Sequence, residues 1–391
     1  MGKSLRFGLA LLATMIVTGG CGSLGAVTKT GAGKVPGQVD GEQSQAGQDA
    51  GTAAGAGGAP AASGKAPRKE SAWVVLPLLS SNPKLGTVYG VGGAWIHHFD
   101  EKSNASKFSL SAQRTTTDST LLALSGKTSF GEDRHRLNLS LKGGRVLNDY
   151  EDYLGTGIPL KNVEDAISLN GSYVYRTAGN WLVGPQVVFS NYMVVGQTAA
   201  DDELLEGMGI TGLKTGGIGI SVQHDTRDND NSPTRGYFAN LNNYAYREWL
   251  GGDENYDVYR LDLRGFWGHG GGHVLAVRQY NNWTVDAPLE AQASPTVRGY
   301  KSGQYLGENA SSLEFEERLH LAKRWGATLF VGVSCLYGNG ETCSDGANLY
   351  PSYGVGIQFI YRPKDGIVGN LEYARGKDDN SGFYLKGGYR F

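Results

Sequence analysis

From residue 71 onward the chain alternates apolar and polar residues over long segments, and it does so repeatedly. Leu137, Leu139 and Leu141 alternate with Asn138, Ser140 and Lys142, and Tyr259, Leu261, Leu263 and Trp267 alternate with Arg260, Asp262 and Arg264. The same pattern runs through Ile367–Ala374 and through Phe383 to the end of the sequence. A period of two is that of an extended strand with one apolar face. The segments are longer than the five or six residues usual for a soluble sandwich, and they match a tilted strand crossing a bilayer. Charged residues fall in mid-strand on the polar face, as a wet interior allows. Sixteen such segments are read, near 72–79, 86–99, 106–116, 119–130, 134–146, 164–177, 180–194, 212–225, 236–248, 255–268, 271–284, 310–324, 326–337, 351–362, 366–375 and 381–391. The expected fold is all-β, a 16-stranded antiparallel transmembrane β-barrel over residues 71–391, preceded by a disordered linker. The even number of strands suits a bacterial single-chain barrel.

Composition removes the competing classes. Charged residues make up 19% of the chain, and Gly accounts for 60 of 391 residues with no collagen-like period. The net charge is −2, which excludes a polyanion binder driven by bulk charge, so no nucleic-acid partner is expected. Only the N-terminus holds a long apolar run, Phe7 to Val17, behind Lys3 and Arg6. That run is too short to span a membrane and long enough for an export signal, assigned to residues 1–21. Residues 22–70 hold 12 Gly and 11 Ala, one Leu and no aromatic. Such a segment cannot bury enough apolar surface to offset its ordering entropy, and a tether with an end-to-end span of about 40 Å is expected.

Candidate sites follow from local patterns. Thr18-Gly19-Gly20-Cys21 leaves open both lipidation at Cys21 and ordinary cleavage nearby. Asp225, Arg227 and Asp228, followed by Pro233 and Gly236, read as a tight turn in which short polar side chains satisfy backbone amides. Calcium binding there is disfavoured, because Pro233 stands where a calcium loop needs Gly. Cys335 and Cys343 are exported into an oxidising compartment, so a loop disulfide is expected rather than a zinc site. Asp201-Asp202-Glu203 with Glu206 reads as a solvated loop, and the adjacent His97 and His98 as an interfacial strand end. There is no phosphate loop, nucleophile elbow or His-Glu-x-x-His pattern, so no enzyme, cofactor or metal is expected.

Two further stretches carry a resemblance. Val297-Arg298-Gly299-Tyr300 stands before the twelfth segment and Ser312-Leu313-Glu314-Phe315 within it, and Gly387, Tyr389 and Phe391 mark the end. With the Asp225–Tyr237 stretch, this resembles the bacterial surface antigen family, which includes the barrel of the outer-membrane assembly factor and the transporters of two-partner secretion. The resemblance covers 71–391. It implies that the connection carrying Val297, Arg298, Gly299 and Tyr300 folds back into the lumen as a plug. It further implies that Arg298 pairs with Glu314 on the twelfth strand, and that the 225–236 turn is periplasmic. Gly387, Tyr389 and Phe391 resemble the targeting signal read by the outer-membrane assembly machinery. Location in the outer membrane of a Gram-negative cell follows, with its lipids and that machinery as partners and with proteins or lipids as clients. The sequence departs from the family in two places. Gly332 stands where the family has an acid on the thirteenth strand, and 22–70 replaces the family's periplasmic domains. Three functions remain open on the sequence: assembly or transport of proteins or lipids, a passive pore or structural barrel, and a surface-exposed binding protein.

Overall fold

The computed structural model describes residues 72–82, 86–150, 159–207, 212–229, 232–300, 302–362 and 367–387. Sixteen strands form one sheet in chain order, each antiparallel to the next. They are β1 (Ala72–Asn82), β2 (Gly86–His97), β3 (Ser106–Thr115), β4 (Thr120–Phe130), β5 (His135–Tyr150), β6 (Leu160–Arg176), β7 (Trp181–Gly196) and β8 (Gly212–Asp225). Then follow β9 (Arg235–Tyr246), β10 (Tyr256–Gly268), β11 (Val274–Val285), β12 (Asn309–Ala322), β13 (Trp325–Tyr337), β14 (Leu349–Arg362), β15 (Ile367–Arg375) and β16 (Ser381–Gly387). The sheet curls so that β1 and β16 lie beside one another. No described helix is long and apolar enough to cross a membrane. Cys21, the 1–21 and 22–70 segments, Tyr389 and Phe391 lie outside the described residues, and of Gly387 only the backbone is described.

The period-2 pattern sorts the side chains in the reverse of a water-soluble fold. On β13, Leu329, Val331 and Val333 face outward and are exposed, Leu329 by 48% and Val331 by 57%. Thr328 and Ser334 face inward and are fully covered. On β14 and β15, Val355, Ile357 and Leu371 are outside, while Ser352, Gln358, Asn370 and Glu372 are buried. Each Val or Leu moved from water into an apolar surround gains about 1.5–3 kcal/mol. This outer band is therefore stable only against something apolar.

The two ends of the sheet differ. At one end the connections include the tight turns 131–134, 177–180, 269–273 and 323–324. At the other stand 197–211, 247–255, 286–308 and 338–348. Aromatic rings ring the short-turn end: Trp73 stacks on Trp95 and Trp95 on Phe108, Phe99 meets Phe130, and Trp325 meets Phe359.

The expectation of a solvated loop at Asp201–Glu206 is corrected. Ala199–Gly207 forms a helix, α1, with Leu205 buried against Leu160, Tyr192 and Val194. The reason is local. The Thr198 hydroxyl accepts from the Asp201 amide at 3.2 Å, and the Asp201 carboxylate accepts from the Thr198 amide at 3.1 Å. This reciprocal arrangement is that of a capping box.

Candidate functional site: an arginine held in the lumen

The connection between β11 and β12 turns back inside the sheet. Ala293 and Gly307 pair across its neck, each amide donating to the other's carbonyl. Its tip carries Val297, Arg298, Gly299 and Tyr300. Gly299 has φ +100°, a conformation open to Gly at little strain, and its amide donates to the Tyr384 hydroxyl on β16 at 2.8 Å. Tyr300 meets Tyr350 of β14 edge-on at 5.7 Å, and its hydroxyl donates to the Pro351 carbonyl. Val297, Ala293, Ala310 and Leu336 complete an apolar cluster around it. The plug is thus packed as a core on the long-loop side.

Arg298 sits at the bottom of this tip, 1% exposed. Nη2 donates to Glu314 Oε1 at 2.6 Å and lies 2.8 Å from Glu316 Oε2. Nη1 donates to Glu372 Oε2 at 3.0 Å. The guanidinium lies over the Phe330 ring at 3.4 Å, and the Arg298 carbonyl accepts from the Ser352 hydroxyl. A buried cation is tolerated only when paired and hydrogen-bonded, and here three carboxylates and a ring face surround it.

The strands explain how these groups converge. Glu314 and Glu316 are two residues apart on β12 and so share its inner face. Opposite Glu314 stands Gly332, where a Cβ would lie 3.1 Å from Glu314 Cγ. The missing acid on β13 is therefore replaced from farther away, by Glu372 on β15. It crosses β14 over Gly356, where a Cβ would meet Glu372 Cγ at 2.8 Å, while Gly354 leaves room for the Phe330 ring. The expected single Arg298–Glu314 contact is present, and the ion pair is rebuilt around it. Glu316, Phe330 and Glu372 escaped the sequence reading. Only their placement on polar or inward strand positions hinted at them.

The second motif is tied to the first. Arg318, two residues beyond Glu316, donates to Glu316 Oε1 at 2.8 Å and to the Pro233 carbonyl at 3.1 Å. Pro233 belongs to the β8–β9 connection, at the short-turn end. There the Asp225 carboxylate takes Arg227 at 2.9 Å and Arg136 of β5 at 2.8 Å. Burial works against ionisation of Asp228, but the Thr234 hydroxyl and amide outweigh it and hold the carboxyl below its usual range. Gly236 has φ +96°, and a Cβ there would lie 2.3 Å from the Thr226 carbonyl. Asp133, Arg136, Arg176 and Arg227 line a polar cleft of about 430 Å³ at this mouth. One chain of contacts, Arg298–Glu316–Arg318–Pro233, runs from the plug tip to the opposite mouth. Among the described residues no cluster of His, Cys, Asp or Glu is arranged to hold a metal ion.

No protein-family model matches the sequence, and no curated protein matches it. Solved structures do. BamA from Haemophilus ducreyi lacking POTRA domains 1–3 superposes over 82% of this chain and 69% of its own, at TM-score 0.51 and 13% identity. CdiB from Acinetobacter baumannii matches with TM-score 0.55 and 12% identity, over 83% of this chain and 61% of its own. CdiB from Escherichia coli gives 0.54 and 11%, over 83% and 63%. The chain shares the fold of these three proteins. At these identities the likeness is one of fold, and the chain spans less than two thirds of either CdiB.

Within this fold a disulfide braces the plug. Cys335 and Cys343 are joined, with Cα atoms 5.7 Å apart, closing the β13–β14 loop. The loop's Asn339 amide donates to Glu308 at the plug's exit, and the Lys377 ammonium lies 4.0 Å over Tyr350. Replacing both cysteines with Ser should lower stability by about 2–3 kcal/mol on the chain-entropy model. Proteolysis should then cut 338–348 before the strands. Equal protease resistance of parent and variant would remove the brace from the account.

Proposed function

We propose that residues 71–391 form a closed 16-stranded transmembrane barrel of the surface antigen family in the outer membrane, helping to insert or translocate proteins or lipids. The reading takes 1–21 as the export signal and 22–70 as the tether. It takes the short-turn end, with Asp225, Arg227, Asp228, Pro233 and Gly236, as periplasmic. The outer-membrane assembly machinery then acts on the chain during biogenesis, reading Gly387, Tyr389 and Phe391. Lipidation at Cys21 is carried as a separate proposal.

One observation carries the reading: a buried arginine at the tip of a re-entrant connection, held by carboxylates from two strands. A plain porin wall has no need of such a lock, whereas a barrel that must stay sealed until it engages a client does. The link through Arg318 to the β8–β9 turn supports the same view, because a ligand pressing on that mouth has a polar route to the plug. A passive pore is the second reading. It is favoured by the opposite wall, where Lys127 faces the lumen and is nevertheless exposed.

The test uses the full chain in proteoliposomes, after heat-modifiable gel mobility has established a folded barrel. Unfolded outer-membrane proteins added from the short-turn side should fold faster than in empty liposomes, and resting conductance should be low. Steady conductance with no acceleration of folding would favour the passive pore.

A further inference from the structure

The inner wall of the sheet is dry on one side and wet on the other. On β12–β15 the inward Glu316, Thr328, Ser334, Ser352 and Asn370 are covered. On β3–β6 the inward Ser109, Ser111, Gln113, Ser125, Asn138 and Ser168 are all partly exposed, and Lys127 is exposed. Their direction follows from strand parity, because Leu110, Leu122, Leu139 and Ile167 are the outward, exposed positions of the same four strands. Polar groups dress this wall from strand to strand. The Ser109 and Ser125 hydroxyls lie 2.7 Å apart, and Asn138 Nδ2 donates to the Ser172 hydroxyl at 3.2 Å.

The plug accounts for the difference. It bonds to Pro351 on β14, Glu372 on β15 and Tyr384 on β16, and its Ala291 packs on Val188, Tyr246 and Val258 of β7, β9 and β10. A sheet of sixteen strands is wide enough to leave water beside such an insertion. The wet side narrows toward the long-loop end. There Thr115, Ser119, Asn148 and Asn162 are buried. Asn148 Nδ2 donates to Asn162 Oδ1 at 2.8 Å, and Gln197 Nε2 donates to the carbonyls of both residues at 3.1 Å.

The charges on the two sides differ as sharply as the burial. On the dry side the inward acids Glu314, Glu316 and Glu372 are locked by Arg298 and Arg318. Asp262 on β10 is likewise held between Arg264 and Arg278. Among the described residues of β3, β4 and β5, every charged inward position is basic: Lys107, Lys127, Arg136 and Lys142. Arg136, at the mouth, is engaged by Asp133 and Asp225. Lys107 and Lys127 stand directly opposite each other on β3 and β4, an arrangement that costs a sheet stability. Lys142 stands about 13 Å further along the wall, between Ala123 and Ser168. The nearest inward acid, Glu164 on β6, is 5% exposed and lies beyond Lys142 on the long-loop side.

We propose that the β3–β6 side of the lumen is a water path selective for small anions, entered at the short-turn mouth and lined by Lys107, Lys127 and Lys142. The proposal rests on the membrane reading above. Low-dielectric walls carrying one sign of charge focus the field and enrich the opposite ion, and lysine rows along a pore select anions in this way. The local cost of two facing ammonium groups is offset when an anion passes between them. The buried Asn148–Asn162 region keeps the resting current small, while the wide, basic stretch below it decides which ion carries that current.

The test measures reversal potentials in planar phosphatidylcholine bilayers under a gradient of potassium chloride. It uses the full chain and an opened form, Arg298→Ala/Glu314→Gln/Glu372→Gln, in which the plug is unlocked without stranding those two acids. Each is compared with the same chain carrying Lys107→Gln/Lys127→Gln/Lys142→Gln, and with the three lysines changed to Glu. Chloride should permeate about fivefold better than potassium in the parent and in the opened form. The ratio should fall to near one with Gln and invert with Glu. If the Glu chain gives no heat-modifiable band, the Gln chain decides. A parent or opened form that prefers potassium, or lysine variants that keep the preference for chloride, overturns the anion path. A folded, inserted chain that passes no current in either form has no such path and overturns it as well. A chain that enters no bilayer and shows no heat-modifiable form overturns the membrane reading, and the path with it.

Discussion

Replacing Arg298 with Ala is expected to open the lumen. The guanidinium is the common partner of Glu314, Glu316 and Glu372. Without it three carboxylates face one another in a space that excludes water, with Arg318 left to balance only Glu316. Removing one partner of a buried ion pair costs about 3–5 kcal/mol, because the remaining charge is left uncompensated. The strands have their own ladder of backbone hydrogen bonds, so the loss should fall on the plug before it falls on the wall. Planar-bilayer recordings should show conductance rising in the variant, while the heat-modifiable folded band persists at reduced yield. Adding Glu314→Gln and Glu372→Gln removes two of the stranded charges and should recover part of the yield without restoring the seal. A variant that seals and folds as the parent does would remove Arg298 from the account.

The wall was legible in the sequence and the lock only in part, for one physical reason. Strand alternation is a local property, and a membrane barrel displays it without interruption. Leu137, Leu139 and Leu141 announce β5 unaided, and the segment read at 212–225 coincides with β8. Boundaries drifted where polar residues carry a strand beyond the apolar band, as at β6, which starts at Leu160 rather than near 164. The lock depends on which inward positions of non-adjacent strands meet across the lumen. Glu372 looks like any polar residue on β15 until the register places it over Gly356. Arg318 looks like a lumen charge until Pro233 arrives from a connection eighty-five residues away. The α1 helix is a different kind of miss. Thr198 and Asp201 form its capping box within four residues, so the signal was local and was outweighed by the acidic character of the run.

Gly354→Val tests whether the wall is built to fit the lock. Gly354 lies on the inner face of β14, between Phe330 on β13 and Ala374 on β15. A Cβ there would stand 2.1 Å from the Tyr373 carbonyl oxygen and 2.3 Å from Phe330 Cζ. The ring can swing aside, but in doing so it leaves the face of Arg298. The carbonyl belongs to the β14–β15 ladder and cannot move without breaking register. Overpacking of a tight interior costs about 1–3 kcal/mol, and loss of the cation–π contact adds to it. The expected result is a lower denaturation midpoint in detergent and a leaky lumen in bilayers. Phe330→Ala in the same chain should relieve the side-chain clash but leave the carbonyl clash, so stability recovers partly and the leak persists. Gly346→Val, in the β13–β14 loop where nothing lies within 4 Å of the added Cβ, serves as the control and should behave as the parent. If Gly354→Val shows the parent's midpoint and conductance, β14 has slack that the structure does not display. The reach of Glu372 and Phe330 to Arg298 would then owe nothing to the absence of a side chain between them.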